Sequence, residues 1–436
     1  MLKAGFSRVD ITPPLGTYLS GYFTDRYADG ILDPIELNAV AVSHDGETVV
    51  LIAADMLGIR MNYCDDLRRR ISEKTGVPAK NVMIASLHQH SSIAIGNTAS
   101  NTVHKDHGYL DVLYRKFVDV AQMAVHDLAD ATLCVGAEQT AEQIAFIRRW
   151  MMTDGTILSN PSRDRVDELD HPLGEADNTV RLLRFQRENQ NDIALINFST
   201  HPDVVGGTKF SADWPGFARR YVEKDLENVS CMLLVGAQGD SNHFNFTAGR
   251  RDKGYAYSAH MGRVIADAVI GMWDRTGVQE VDRLTSDILV VYNQTRMDGI
   301  DRYEECKALV EEHNRRRQEK STKSYNTGGA QIGEAERIVN IRNAPIYQKV
   351  PVTTISLGKT AIVGFGGEPF LQYAAAVREA YPDRFIVCAC AANGYEDYLP
   401  TAAAIKEGGY EADRSPFSET LEEEVVGTAI ELLKKG

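Results

Sequence analysis

Val82-Met83-Ile84-Ala85 runs into Ser86-Leu87-His88-Gln89-His90, and this passage from an apolar run to a polar, chemically capable cluster recurs along the chain. Ile193-Ala194-Leu195-Ile196 leads to Ser199-Thr200-His201-Pro202-Asp203, and Met232-Leu233-Leu234-Val235 leads to Gln238-Gly239-Asp240-Ser241-Asn242-His243. Ala361-Ile362-Val363-Gly364 leads to Gly366-Gly367-Glu368, and Phe385-Ile386-Val387-Cys388 to Asn393-Gly394-Tyr395-Glu396-Asp397-Tyr398. Short continuous apolar runs bounded by polar clusters are the pattern of strands buried on both faces. In α/β proteins the carboxyl ends of strands frame the crevice where ligands bind, because loops converge there while the sheet stays rigid. Polar residues must begin somewhere after any buried strand, so one such end says little. The recurrence of imidazole, carboxylate and phenol at several ends points to one shared site.

Outward from these runs, residues 37–54 carry two apolar segments around His44-Asp45-Gly46, and Asp-Gly between strand-like runs is a hairpin signal. Over 109–128, Leu110, Leu113, Phe117, Val120, Ala121 and Ala124 recur at helical spacing, so one face of a helix is buried. Residues 300–323 read as a helix with a charged tail, Arg315-Arg316-Arg317-Gln318-Glu319-Lys320, whose mixed signs suit a solvated face or an insertion. Asn326-Thr327-Gly328-Gly329 then reads as a loop, and a further helix covers 418–434. Together these predict an α/β fold: a mixed β-sheet core flanked by helices, antiparallel near the N-terminus, in one large catalytic domain over 1–436 with a helical insertion at about 300–340.

The chain has 436 residues, 43% hydrophobic and 25% charged, enough to bury a large core. A formal net charge of -14 repels phosphate backbones and anionic bilayers, which argues against nucleic acid as a partner. A small-molecule substrate is expected instead. No apolar run approaches the roughly 20 residues that a membrane helix needs. The N-terminal Met1-Leu2-Lys3 places a charge where a secretory signal would carry its apolar segment, so a cytoplasmic location is expected. The cysteines are spread too widely for a disulfide framework, and Cys388 and Cys390 alternate on an apolar run where they pack as small hydrophobes.

Alternation along an extended His88-Gln89-His90 sends both imidazoles to one side, although such a pair is more commonly surface or hydrogen-bonded. His201 is followed by Pro202, which fixes the local backbone, although a lone histidine there is more often a satisfied core residue. Glu368 opens the helical pattern Phe370, Ala374, Ala375, Val377, Ala380, where helix capping is the rival reading. Two histidines and a carboxylate leave an open coordination position, the arrangement by which hydrolytic zinc lowers the pKa of bound water to about 7.

Ala4-Gly5-Phe6-Ser7-Arg8-Val9-Asp10-Ile11-Thr12-Pro13-Pro14 with Gly21-Tyr22, Ala54-Asp55-Met56, and Ser86-Leu87-His88-Gln89-His90-Ser91 resemble the neutral/alkaline, non-lysosomal ceramidase family. Later blocks follow in the family's order: Phe198-Ser199-Thr200-His201, Ser211-Ala212-Asp213 with Gly216, Gly239-Asp240-Ser241, Gly367-Glu368, Asn393-x-Tyr395-x-x-Tyr398 and Tyr410-Glu411-Ala412. The resemblance implies a zinc ion (Zn2+) bound by His88, His201, Glu368 and Tyr398. It implies that His90, Tyr410 and Arg148 orient the substrate carbonyl and stabilise its developing oxyanion. Asp213 and Asp240 suit second carboxylates that accept the outer N–H of a ligating histidine or steer water, and Asp240 equally suits a turn residue after Gly239. Arg148 adjoins Arg149, and the sequence leaves open which faces inward.

The family's members are longer, with a C-terminal β-sandwich-like domain, and no such domain is expected for this chain. Their Gly-Asp-x-Ser-x-Asn block is altered, since Ser241 directly follows Asp240, and His243 has no counterpart, a loop hydrogen bond being its simplest expectation. His104-Lys105-Asp106-His107, Arg148-Arg149-Trp150 and Lys209 suit a small polar or anionic substrate better than two long acyl chains. The expectation is therefore a zinc-dependent, ceramidase-like hydrolase of an amide or ester bond in a small polar substrate. The rivals are a metal-assisted lactonase or lyase on a sugar-acid-like substrate, and a non-catalytic binding protein stabilised by its metal. A serine hydrolase is disfavoured because no Gly-x-Ser-x-Gly elbow is present.

Overall fold

The structure, a computed structural model, describes residues 1–96, 107–318 and 329–436. The main path of a large sheet is built from β1 (Lys3–Asp10), β2 (Glu36–His44), β3 (Glu47–Ala54), β4 (Val82–Ser86), β5 (Ala129–Gln139), β6 (Thr179–Arg187), β7 (Asp192–Phe198) and β8 (Val229–Val235). Their spatial order is β8-β7-β6-β5-β1-β2-β3-β4, with the short strand Gly277–Gln279 added to β5. β2 and β3 form the hairpin that Asp45-Gly46 signals. The middle of the sheet is antiparallel, but its last two strands at each end, β3 with β4 and β7 with β8, are parallel. A second sheet runs β9 (Leu284–Gln294), β10 (Tyr347–Leu357), β11 (Thr360–Phe365), β12 (Phe385–Ala389) and also ends in a parallel pair, β11 with β12.

Alternate side chains of the apolar runs meet different layers. Ala39, Ala41, Val50, Ile52 and Ile84 pack with Leu67 and Ile71 of α1 (Met61–Thr75) and with Phe117 and Val120 of α2 (His107–His126). Val40, Val42, Leu51, Ala53, Met83 and Ala85 face the other way, into a core shared with Ile355, Ile362 and Val387 of the second sheet. With both faces covered, the strands read as continuous hydrophobic runs. Trp214 and Val222 of α3 (Asp213–Asp225) and Ile265 and Val269 of α4 (Tyr255–Met272) join the same core. Where a helical insertion is expected, the described residues form α5 (Tyr303–Gln318) and α6 (Gly329–Ile341), packed around Cys306, Ala335 and Ile338. The rest of that expectation, Glu319-Lys320 and the Asn326-Thr327-Gly328 loop, lies outside the described residues. α7 (Leu371–Ala380) and α8 (Leu421–Lys435) cover the outer face of the second sheet through Tyr373, Val377, Val425 and Leu432. The fold is thus the mixed-sheet α/β architecture that the strand runs predict. No described helix is long and apolar enough to cross a membrane, and all six cysteines are free and buried.

Beyond β12 the chain passes between the two ends of the large sheet. Cys390 N–H donates to Val235 O at the end of β8, at 2.9 Å. Ser86 N–H of β4 donates to Ala391 O (3.1 Å), Asn393 N–H donates to Ile84 O (2.7 Å), and Asn393 Oδ1 accepts Ile84 N–H (2.9 Å). Backbone groups that edge strands would leave unpaired are thus satisfied by one segment. It also draws the carboxyl ends of β4, β8 and β12 together.

Candidate metal centre

His88 lies two residues past β4 with φ +67°, a left-handed backbone that costs a non-glycine residue about 1–3 kcal/mol. The His-x-His pair is therefore set by a turn, and the extended alternation expected from the sequence is not what aligns it. The turn is held by His88 N–H to Met56 O (2.8 Å) and Leu87 N–H to Ala54 O (2.9 Å), and it places the His88 and His90 rings 5.0 Å apart. His88 Nδ1 lies 2.8 Å from Leu57 O. A carbonyl only accepts, so Nδ1 carries the proton and Nε2 turns a lone pair inward. Burial pulls the His88 pKa down to about 3, so the ring is neutral near pH 7.

His201 follows β7, with its ring 4.7 Å from that of His88. The chain after it is fixed by Asp213, whose Oδ2 accepts the N–H groups of Val204 and Val205 at 2.9 Å each. Asp213 thus supports the histidine loop through its backbone, whereas the sequence suggests a carboxylate that accepts a histidine N–H or steers water. The ring nitrogens of His88, His90 and His201 lie within 4.8 Å of one another, a set able to hold a metal ion.

Glu368 is placed by a two-residue strand, Glu368–Pro369, parallel to Tyr398–Leu399 with Glu368 opposite Tyr398. It precedes α7, and the helix-cap role falls to Asp240, whose Oδ1 accepts Leu371 N–H at 2.9 Å. Asp240 therefore takes the turn-and-cap reading, and among the described residues its carboxylate makes no hydrogen bond to an imidazole. Burial raises it to about pH 6. Glu368 Oε2 lies 3.4 Å from His88 Nε2 and 3.7 Å from His201 Nε2. That oxygen is buried and has no hydrogen-bond partner among the described residues, while Oε1 accepts the Tyr395 hydroxyl at 3.0 Å. Burial pushes the Glu368 carboxyl up to about 8, against the pull of the Arg148 guanidinium.

Arg148, not Arg149, faces the site. Its Nη2 donates to Gly239 O (2.6 Å), its Nε pairs with Glu411 Oε1 (2.7 Å), and its Cζ stands 5.2 Å from the centre of the Tyr398 ring. Arg149 turns to Gly408 O and Glu407. Glu411 is fully buried and also accepts the Ser159 hydroxyl, so it fixes Arg148. Tyr410, one helical turn from Arg414, lies with its ring 5.8 Å from that of Tyr398. Around His90, the Tyr22 hydroxyl donates to Asp203, Arg26 stacks on Tyr22 at 3.9 Å, and Arg26 Nη2 donates to His90 O at 2.6 Å. Asp203 Oδ1 is 3.7 Å from His90 Nδ1. Gly21, at φ +107°, is required here because a Cβ would stand 2.7 Å from His90 Nδ1.

A cavity of about 40 Å³ opens on these groups, lined by Gly21, Tyr22, Phe23, Leu57, His88, His90, Tyr395, Tyr398, Tyr410 and Arg414. Of the residues given site roles from the sequence, His88, His90, His201, Glu368, Tyr398, Tyr410 and Arg148 converge, and Asp213 and Asp240 support from behind. Sequence reasoning assigned no role to Tyr395, Glu411, Asp203, Tyr22 or Arg414. The first four lie inside or beside quoted motif blocks, and nothing local marks Arg414. Lys209 is exposed beside Gly30 and is absent from the cavity wall. His104-Lys105-Asp106 lies outside the described residues. His243 is a neutral buried ring against Phe244, with neither nitrogen hydrogen-bonded among the described residues, so the expected loop hydrogen bond is not made.

Residues 2–250 match the family described as neutral/alkaline non-lysosomal ceramidase, N-terminal. Two solved structures are similar in fold. The neutral ceramidase from Pseudomonas aeruginosa superposes with a TM-score of 0.76 at 15% identity, covering 99% of this chain and 74% of that one. A ceramidase complexed with C2 gives 0.75 at 15% identity, covering 100% and 75%. No curated protein matches the sequence.

Proposed function

The chain belongs to the neutral/alkaline, non-lysosomal ceramidase family, a family of amidase-type hydrolases, and from that premise we propose that it is a zinc-dependent hydrolase of an amide or ester bond in a compact, polar substrate. The observation that carries this reading is Glu368 Oε2, a buried carboxylate oxygen without a donor among the described residues, facing the inward nitrogens of two histidines. An unpaired buried carboxylate is costly, and a cation is the partner that relieves it. Two imidazoles, a carboxylate and the Tyr398 phenol are nitrogen and oxygen donors that suit zinc. His88, His201, Glu368 and Tyr398 would hold the ion, which when bound supplies a Lewis acid and an acidified water.

The chain's own residues do the rest. Arg148, immobilised by Glu411 and Gly239 O, offers a preorganised positive charge where the substrate carbonyl oxygen gains negative charge. His90 is neutral through burial and can take up or pass on a proton beside Asp203. Tyr410 adds a phenol to the cavity wall. The cavity is narrow beside His88 and His90, which favours a small reacting group.

Metal analysis of the purified protein beside His88→Ala and Glu368→Ala, with an activity panel, tests the proposal. Near-stoichiometric zinc is expected in the parent and a large loss in both variants. Hydrolysis of small N-acyl or ester compounds is expected to exceed that of long-chain ceramide. Full metal occupancy in both variants would move the site elsewhere, and turnover of long-chain ceramide alone would reject the substrate class.

A further inference from the structure

We propose that Arg414 grips a carboxylate of the substrate, so that this enzyme selects acyl compounds bearing an anionic group next to the scissile bond. The inference rests on the hydrolase reading above. Arg414 lines the same cavity as His88, His90, Tyr398 and Tyr410. Its Nε donates to Asp397 Oδ1 at 3.2 Å, and Nη1 stands 3.7 Å from Glu336 Oε2, an ion-pair distance beyond hydrogen-bond reach. Neither terminal nitrogen makes a hydrogen bond among the described residues. The guanidinium carbon lies 5.7 Å from the centre of the Phe23 ring, which lines the cavity too.

Arg148 is used differently: Glu411 and Gly239 O occupy it inside the protein. Arg414 instead has two terminal NH2 groups that make no hydrogen bond among the described residues, Nη1 only standing at ion-pair distance from Glu336, and that planar fork matches the two oxygens of a carboxylate. A hydroxyl or an amide carbonyl would satisfy only part of it. Its position is set before substrate arrives. The short helix Tyr410–Arg414 packs on α6, and Arg337 of α6 donates from Nε to Asp413 O at 2.6 Å. Asp397 anchors Nε and Glu336 draws Nη1, and neither takes a hydrogen bond from the two terminal nitrogens among the described residues. The helical insertion thereby acquires a purpose, since it supplies both Glu336 and Arg337.

The test compares N-acetylglycine with N-acetylglycine amide as substrates of the zinc-loaded protein, following released amine. It also compares succinate with acetate as ligands, by isothermal titration. The parent is expected to favour the acid over the amide in kcat/KM at least tenfold, and succinate over acetate in affinity by a similar factor. In Arg414→Met both ratios are expected to fall to near one, and Arg414→Lys, which keeps the charge but loses the fork, to retain an intermediate ratio. Zinc content of each variant checks that the site is assembled. Parent ratios near one, or ratios unchanged in both variants, overturn the inference while leaving the hydrolase reading intact. Zinc-loaded protein that cuts neither probe counts against the hydrolase reading, and the succinate-to-acetate ratio still decides the role of Arg414.

Discussion

Stripping the metal should make the stability of this protein fall steeply with pH, and replacing Glu368 with glutamine should abolish that fall. Burial raises the Glu368 carboxyl from 4.5 to about 8 when no cation faces it. A raised carboxyl pKa means that the native state binds the proton more tightly than the unfolded chain. Its contribution is therefore fully present below about pH 4.5 and is lost as pH rises through about 8. Integrated between pH 5 and pH 9, the loss is about 4 kcal/mol at 1.36 kcal/mol per pKa unit. With an unfolding entropy of about 2.1 cal/mol/K per residue over 436 residues, that is a drop of about 4 °C in melting midpoint. The assay is a melting series on chelator-treated protein at pH 5, 7 and 9, reading the difference between the parent and Glu368→Gln so that other titrating groups cancel. The stripped parent is expected to lose about 4 °C relative to the variant across the series. Reloading zinc into the parent is expected to remove the loss, because a cation holds the carboxylate ionised. A parent-minus-variant difference that stays flat with pH in stripped protein would refute the reasoning.

Three further outcomes follow from the same contacts. Tyr395→Phe removes the hydroxyl that holds Glu368 Oε1 at 3.0 Å, and zinc affinity, measured by competition with a chelator, is expected to fall about tenfold or more. Glu411→Gln frees Arg148 from its buried ion pair; kcat is expected to drop about 10–100-fold with zinc content unchanged, and an unaltered kcat would take Arg148 out of the reaction. Arg219→Ala leaves Asp55 as an unpaired buried carboxylate beneath Gln89, since Arg219 donates to both Asp55 oxygens at 3.0 and 2.6 Å and Gln89 Nε2 donates to Oδ1 at 2.9 Å. It should cost about 3–5 kcal/mol in denaturant unfolding.

Much of this was legible in the chain because both-face burial leaves a strong mark. β4, β7, β8, β11 and β12 each coincide with an apolar run, and each run ends where a side chain of the site begins. The residue types at those ends that could ligate a metal, two imidazoles, a carboxylate and a phenol, are readable by chemistry and motif order, and the fold brings them together. The local geometry is not readable. His88 is turned by a left-handed backbone held from Met56 and Leu57, residues that no spacing rule connects to it. The role of Asp240 depends on a helix that begins at Leu371, and that proposed for Arg414 on Glu336 and Arg337 of α6. Such contacts are set by tertiary packing, and a single sequence carries no local trace of them.

The segment at 390–393 has a consequence for the newborn protein. The strands it bridges end at Ser86 and Val235, so both are synthesised long before it is. At 5–20 residues per second, β8 waits on the order of ten to thirty seconds for its partner to leave the ribosome. Through that interval two sticky, half-paired borders are open to other chains, which makes this stage of biosynthesis the one most in need of a chaperone. Assembly of the candidate metal centre is then a late event, and metal uptake during translation would report that the polypeptide has closed on itself.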